Sequence, residues 1–68
     1  MSLKQYLKKN NISNYELSKR STVAESTISQ FLNEKRGIKL DTACKLSDAL
    51  GISLNKFRRL AEEEGKIE

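Results

Sequence analysis

The stretch Ser13–Asn33, SNYELSKRSTVAESTISQFLN, decides how the rest of the chain is read. It predicts two short helices joined by a tight turn. Ser13 is placed as an N-cap, with a hydroxyl able to accept from an orphan amide, and Glu16 three residues later completes a capping-box pattern. Leu17 is the apolar residue of the first helix, which stops near Ser21 and Thr22. A second helix, expected over about residues 24–32, sets Ile28, Phe31 and Leu32 on one side at spacings of three and four. Its other side carries Glu25, Ser26, Ser29, Gln30 and Asn33. Lysine and glutamate would solubilise such a face better. Small hydroxyl and amide groups between basic flanks suit the reading of base edges in a DNA major groove.

Outward from this stretch the helical pattern continues. Ser2 is placed to cap a helix from Leu3 to about Asn10, with Leu3, Tyr6 and Leu7 inward and Lys4, Lys8 and Lys9 outside. The Asn10–Asn11 pair stops it, because asparagine tolerates the left-handed backbone of a helix end. Ile12 then staples inward ahead of Ser13. Asn33–Leu40 (NEKRGIKL) reads as a loop. A further helix is expected from Leu40 or Asp41 to Leu50, with Ala43, Leu46, Ala49 and Leu50 inward and Asp41 favourable in its first turn. Gly51 ends it, Ile52 staples, Ser53 caps, and a last helix takes Leu54, Phe57, Leu60 and Ala61 inward. The expectation is one all-α domain over residues 1–61, a compact five-helix bundle. Residues 62–68, EEEGKIE, lack an apolar stripe and are expected to fray. A second reading has Glu62 to Glu64 repel DNA from that end.

Composition agrees and narrows the function classes. Sixty-eight residues hold one small domain, with no proline and three glycines to interrupt helices. No apolar run approaches the ~20 residues of a membrane span, and the N-terminus lacks the apolar core of a secretion signal, so a cytoplasmic protein is expected. The single cysteine, Cys44, excludes an internal disulfide; it falls at an apolar helix position and reads as a buried small hydrophobe, the other reading being a reactive thiol. Through Leu60 there are twelve basic and five acidic residues, a net +7, while residues 61–68 carry one basic against four acidic, a net −3. The body is thus more basic than the total of +4 suggests, which suits a polyanionic partner. There is no histidine, no metal-ligand cluster, no glycine-rich phosphate loop and no nucleophile beside a base, so neither an enzyme nor a cofactor is expected.

The run ISNYELSKRSTVAESTISQFLNEKR, followed by LSDALGISL, resembles the Cro/CI-type (Xre) helix-turn-helix proteins, among them the small phage repressors. The resemblance covers roughly Leu3 to Phe57. It rests on Ser13 with Glu16–Leu17, the STIS segment, Asn33 and the LGISL segment, in that order and at compatible spacings. It implies a lambda-repressor-like fold and a regulator of transcription that binds a two-fold symmetric DNA operator. Three departures from the family pattern stand out. Ser18 occupies a position usually alanine, where the two motif helices touch, and Thr22 one often glycine, so the turn is expected to differ slightly or to be strained. Leu7 and Leu32 replace an arginine and a glutamate that pair in many relatives, which predicts an apolar contact where others keep an ion pair.

The resemblance carries base contact onto Glu25, Ser26 and Gln30, with Thr27 and Ser29 at the phosphate or groove margin. Gln30 can pair with adenine N6 and N7, Ser26 can donate or accept, and Glu25 can accept from cytosine N4. Two other roles stay open for Glu25: satisfying amides of its own first turn, or pairing with a nearby lysine. Asn14 and Asn33 match phosphate-binding positions, and Tyr15 either joins them or is a plain surface tyrosine. Lys35, Arg36 and Lys39 are phosphate contacts or a solvated loop. Lys8, Lys9, Lys19 and Arg20 add long-range attraction. A weak homodimer that tightens on DNA is expected, with Leu54, Phe57 and Arg58 as interface candidates. Double-stranded DNA is the expected partner, with no small-molecule ligand and no membrane. An antitoxin of a toxin–antitoxin pair, or a protein-interaction module that keeps the fold, are the competing readings.

Overall fold

The computed structural model describes residues 2–34, 36–62, 64–65 and 67, and among these every regular element is a helix. They are α1 (Leu3–Lys9), α2 (Asn14–Ser21), α3 (Glu25–Asn33), α4 (Leu40–Leu50) and α5 (Leu54–Leu60). Three begin on the serines expected to cap them: Ser2, Ser13 and Ser53 each accept from the amide three residues on. At α1 the box is reciprocal, because the Gln5 side chain reaches back to the Ser2 amide. At α2 it is only half formed. The Glu16 carboxylate there faces Arg20 at 3.4 Å instead of returning to Ser13.

The helix ends follow from backbone chemistry as well. Asn11 and Gly51 take positive φ, 56° and 70°, and the residue after each sends its amide back five positions: Ile12 to the Leu7 carbonyl at 2.9 Å, Ile52 to the Ser47 carbonyl at 3.1 Å. This closing bond satisfies carbonyls the helix leaves open and turns an isoleucine inward. Both isoleucines pack on the core.

Leu3, Leu7, Leu17, Val23, Ile28, Phe31, Leu32, Ile38, Ala43, Leu46, Phe57, Leu60 and Ala61 make one buried cluster. Leu7 and Leu32, the expected apolar replacement of an ion pair, both lie in it. Phe31 and Phe57 stack at the centre, with ring centroids 6.4 Å apart and planes 12° from parallel, an arrangement worth about 1 kcal/mol beyond area burial. α2 packs on α3 and α4, α4 on α5, and α1 on α5. Cys44 is half-buried, and its carbonyl accepts from the Ser47 hydroxyl. No helix is long and apolar enough to cross a membrane, among the described residues.

The end of the chain differs from the expected frayed tail. Glu64 is only 5% exposed, and its Oε1 accepts from the Lys4 amide at 3.2 Å. That amide is one of the unpaired donors at the start of α1, a helix with no acidic residue in its own first turn. Glu64 therefore supplies from 60 residues away the negative charge a helix start favours. Ile67 pairs with Ile38 in an isolated parallel bridge and packs on the core. Glu62 is exposed and Glu63 lies outside the described residues, but a buried Glu64 is in no position to repel DNA.

Candidate nucleic-acid interface

The turn that sets α3 against α2 is held by hydroxyl groups. Thr22 carries φ 61° and ψ 15°, the left-handed region that costs a β-branched residue about 1–2 kcal/mol. Of the two outcomes expected for this position, strain is the one found. Around it, Ser18 Oγ donates to the Val23 carbonyl at 2.6 Å. Ser21 Oγ donates to the Leu17 carbonyl at 2.7 Å and accepts from the Val23 amide at 3.3 Å. Thr22 Oγ1 donates to the Ser21 carbonyl. The serine that replaces the family's alanine at position 18 thus has a job: it fastens the far side of the strained turn. Sequence reasoning passed over Ser21, although a buried serine at a helix end, two residues before a buried amide, is the signal that could have marked it.

Ala24 is the N-cap of α3 and makes no side-chain capping hydrogen bond. At about 100° per residue, Glu25, Ser29, Asn33, Ser26 and Gln30 fall within one arc of about 140°. Ile28, Phe31 and Leu32 occupy the opposite side and are buried. Glu25, Ser26, Gln30 and Asn33 are exposed; Thr27 and Ser29 are half-buried. Asn33 Nδ2 donates to Ser29 Oγ at 3.2 Å, which orders the last turn of that polar arc. Glu25 forms no ion pair or side-chain hydrogen bond among the described residues, so neither alternative role open to it is filled there. Among the described residues, including Glu64, Gly65 and Ile67 of the tail, nothing buries Glu25, Ser26, Gln30 or Asn33.

The flanks are mixed. Asn14, the first residue of α2, is half-buried. Tyr15 is 59% exposed, with the Lys19 ammonium 5.3 Å from its ring centre. Arg36 and Lys39 are exposed in the loop after α3, and Arg36 Nε lies 3.7 Å from the Glu34 carboxylate. Lys35 lies outside the described residues. Lys8 and Lys9 lie in the last turn of α1, and Arg20 is engaged with Glu16 at 3.4 Å.

The dimer candidates separate cleanly. Phe57 is fully buried against Phe31 and has no surface to offer a second copy; an apolar position on a helix looks alike whether it faces its own core or a partner's. Leu54 is half-buried against the core edge, and Arg58 is exposed beside Asn55, Arg59 and Glu62 around a shallow depression.

Chemically the α3 face offers an amide that donates and accepts at once, hydroxyls that do either, and one carboxylate acceptor. These match the mixed donor and acceptor pattern of base edges in a major groove. Among the described residues no cluster of metal-ligating side chains accompanies it. A family model described as helix-turn-helix matches residues 3–57. No curated protein and no solved structure matches the chain.

Proposed function

The chain belongs to the Cro/CI-type helix-turn-helix family of DNA-binding regulators, and we propose that this member is a repressor that occupies a two-fold symmetric operator as a dimer. The observation that carries the reading is the division of α3: three apolar residues sunk in the core and an exposed polar arc on the far side. In this reading α3 enters the major groove, and Glu25, Ser26 and Gln30 contact bases. Asn14, Tyr15, Thr27, Ser29 and Asn33 line the phosphates and groove margin, with Lys35, Arg36 and Lys39 on the backbone.

Size supports two copies. The domain measures 24 × 23 × 21 Å, while half-sites recur about 34 Å apart along the duplex. One chain carries one such helix, so a symmetric operator takes a second chain, with Leu54 and Arg58 near the contact. The protein acts wherever the DNA of its bacterial or phage source is kept.

Binding to mixed-sequence duplex, followed by fluorescence anisotropy across salt concentrations, tests the reading. With Lys35, Arg36 and Lys39 of two copies at phosphates, log K against log salt falls with a slope of about −5. A flat dependence, or no binding at low salt, would favour a module that keeps the fold and binds protein instead.

A further inference from the structure

Gly65 and Ile67, beyond α5, have no part in the DNA contacts above, yet they touch the loop that carries Arg36 and Lys39. We infer that Glu64, Gly65 and Ile67 form a strap that holds the loop between α3 and α4 in the shape that presents those two cations to the DNA backbone. The inference rests on the DNA-binding reading for its purpose, though the strap itself can be measured without DNA.

Four contacts define it. The Glu64 amide returns to the Ala61 carbonyl at 3.0 Å, so the strap leaves directly from the end of α5. The Glu64 carboxylate then anchors it to the Lys4 amide. Gly65 lies against the loop so closely that a Cβ there would sit 2.6 Å from the Arg36 carbonyl oxygen and 3.1 Å from Phe31 Cε1. Only a residue without a side chain permits that approach. Ile67 pairs with Ile38, itself buried in the core two residues past Arg36. On its other side the loop is tied to α3, because the Glu34 and Arg36 amides both donate to the Gln30 carbonyl, at 2.9 and 3.3 Å. Residues 36–38 are thus held between the end of the candidate groove helix and the strap.

A loop already ordered does not have to be ordered on binding, and that saving appears as affinity. Because the contacts served are to phosphate, the gain falls on all sequences alike. The acidic tail is then a part of the DNA-binding apparatus that never touches DNA.

The test uses Gly65→Val in the full chain, with Ile67→Ser as a second, milder variant should the first fail to fold, and thermal unfolding to confirm the fold of each. Amide hydrogen exchange without DNA is the first readout, and duplex affinity the second. The expected result is faster exchange at residues 36–38 with the α3 amides unchanged. Affinity falls about ten-fold for operator and mixed-sequence duplex alike, and the salt slope becomes shallower by about one for each cation lost. A folded variant whose loop exchanges like the parent's overturns the strap. Faster exchange with undiminished affinity overturns its role in DNA binding. Should the parent chain bind no duplex at all, the DNA-binding reading fails, while the exchange data still decide whether the strap holds the loop.

Discussion

Two connections in this domain have the same length and the same opening move, and they are built from different chemistry. The turn Thr22–Ala24 joins α2 to α3, and Gly51–Ser53 joins α4 to α5. Each starts with a left-handed residue, Thr22 at φ 61° and Gly51 at φ 70°. The second is made as a stable link is usually made. A glycine takes the left-handed position without strain, the Ile52 amide closes α4, and the Ser53 hydroxyl caps α5. The first departs at each step. A threonine sits where glycine would be cheaper, the Val23 amide goes to a serine hydroxyl instead of a helix carbonyl, and Ala24 leaves α3 without a side-chain cap. Hydroxyls of Ser18 and Ser21 stand in for the missing backbone closure. The turn ahead of the polar face is therefore less well stabilised locally and more tightly specified by side chains. That difference is what a site needing one fixed angle between two helices would show.

The comparison breaks most readily at Ser21. Ser21→Ala removes the acceptor of a buried amide and leaves the Val23 N–H unpaired, a loss of about 2 kcal/mol; urea unfolding that moved by less than a few tenths would mean the turn does not depend on that hydroxyl. Next is Gly51→Ala. No atom lies within 4 Å of the added Cβ, so the cost is backbone strain alone, about 1–1.5 kcal/mol, read as a lower melting temperature. The capping difference gives a mirrored pair of variants. Ser53→Ala should lose about 1 kcal/mol and Ala24→Ser gain about the same, since one removes a cap and the other supplies one. Equal and opposite shifts in the denaturation midpoint would confirm that α3 starts uncapped in solution. The smallest effect is expected at Thr22→Gly. Relief of the left-handed strain is largely offset by the greater freedom of the unfolded chain, for a net gain of about 0.5 kcal/mol. A loss of stability there would show that the Thr22 hydroxyl, bonded to the Ser21 carbonyl, outweighs its strain.

Most of the fold was legible in the sequence because local chemistry specifies it. The serines at positions 2, 13 and 53 and the left-handed Asn11 and Gly51 mark helix ends within two residues of where they fall. Spacings of three and four pick out Ile28, Phe31 and Leu32. The polar arc of α3 was legible for the same reason: a helix with one buried side has only one side left. Two features were not. Phe57 reads from the sequence both as an inward residue and as an interface candidate, because burial within a chain and burial between chains leave the same pattern. Glu64 pairs with an amide 60 residues distant, and no local rule connects the two; in isolation EEEGKIE reads as a solvated end. The hydroxyl lock around Thr22 lies between these cases. Ser18 and Thr22 stand out in the sequence as departures from a family pattern, but only the geometry joins Ser18 and Ser21 into one support for the turn.

Whether the exposed arc of α3 reads base edges is decided by selection of bound duplexes from a random pool, run with the parent chain and with Gln30→Ala. The account predicts a two-fold symmetric consensus with half-site centres about one helical turn apart, and relaxed preference at one position per half-site in the variant. A consensus unchanged by the substitution, or no enrichment even at low salt, would contradict it.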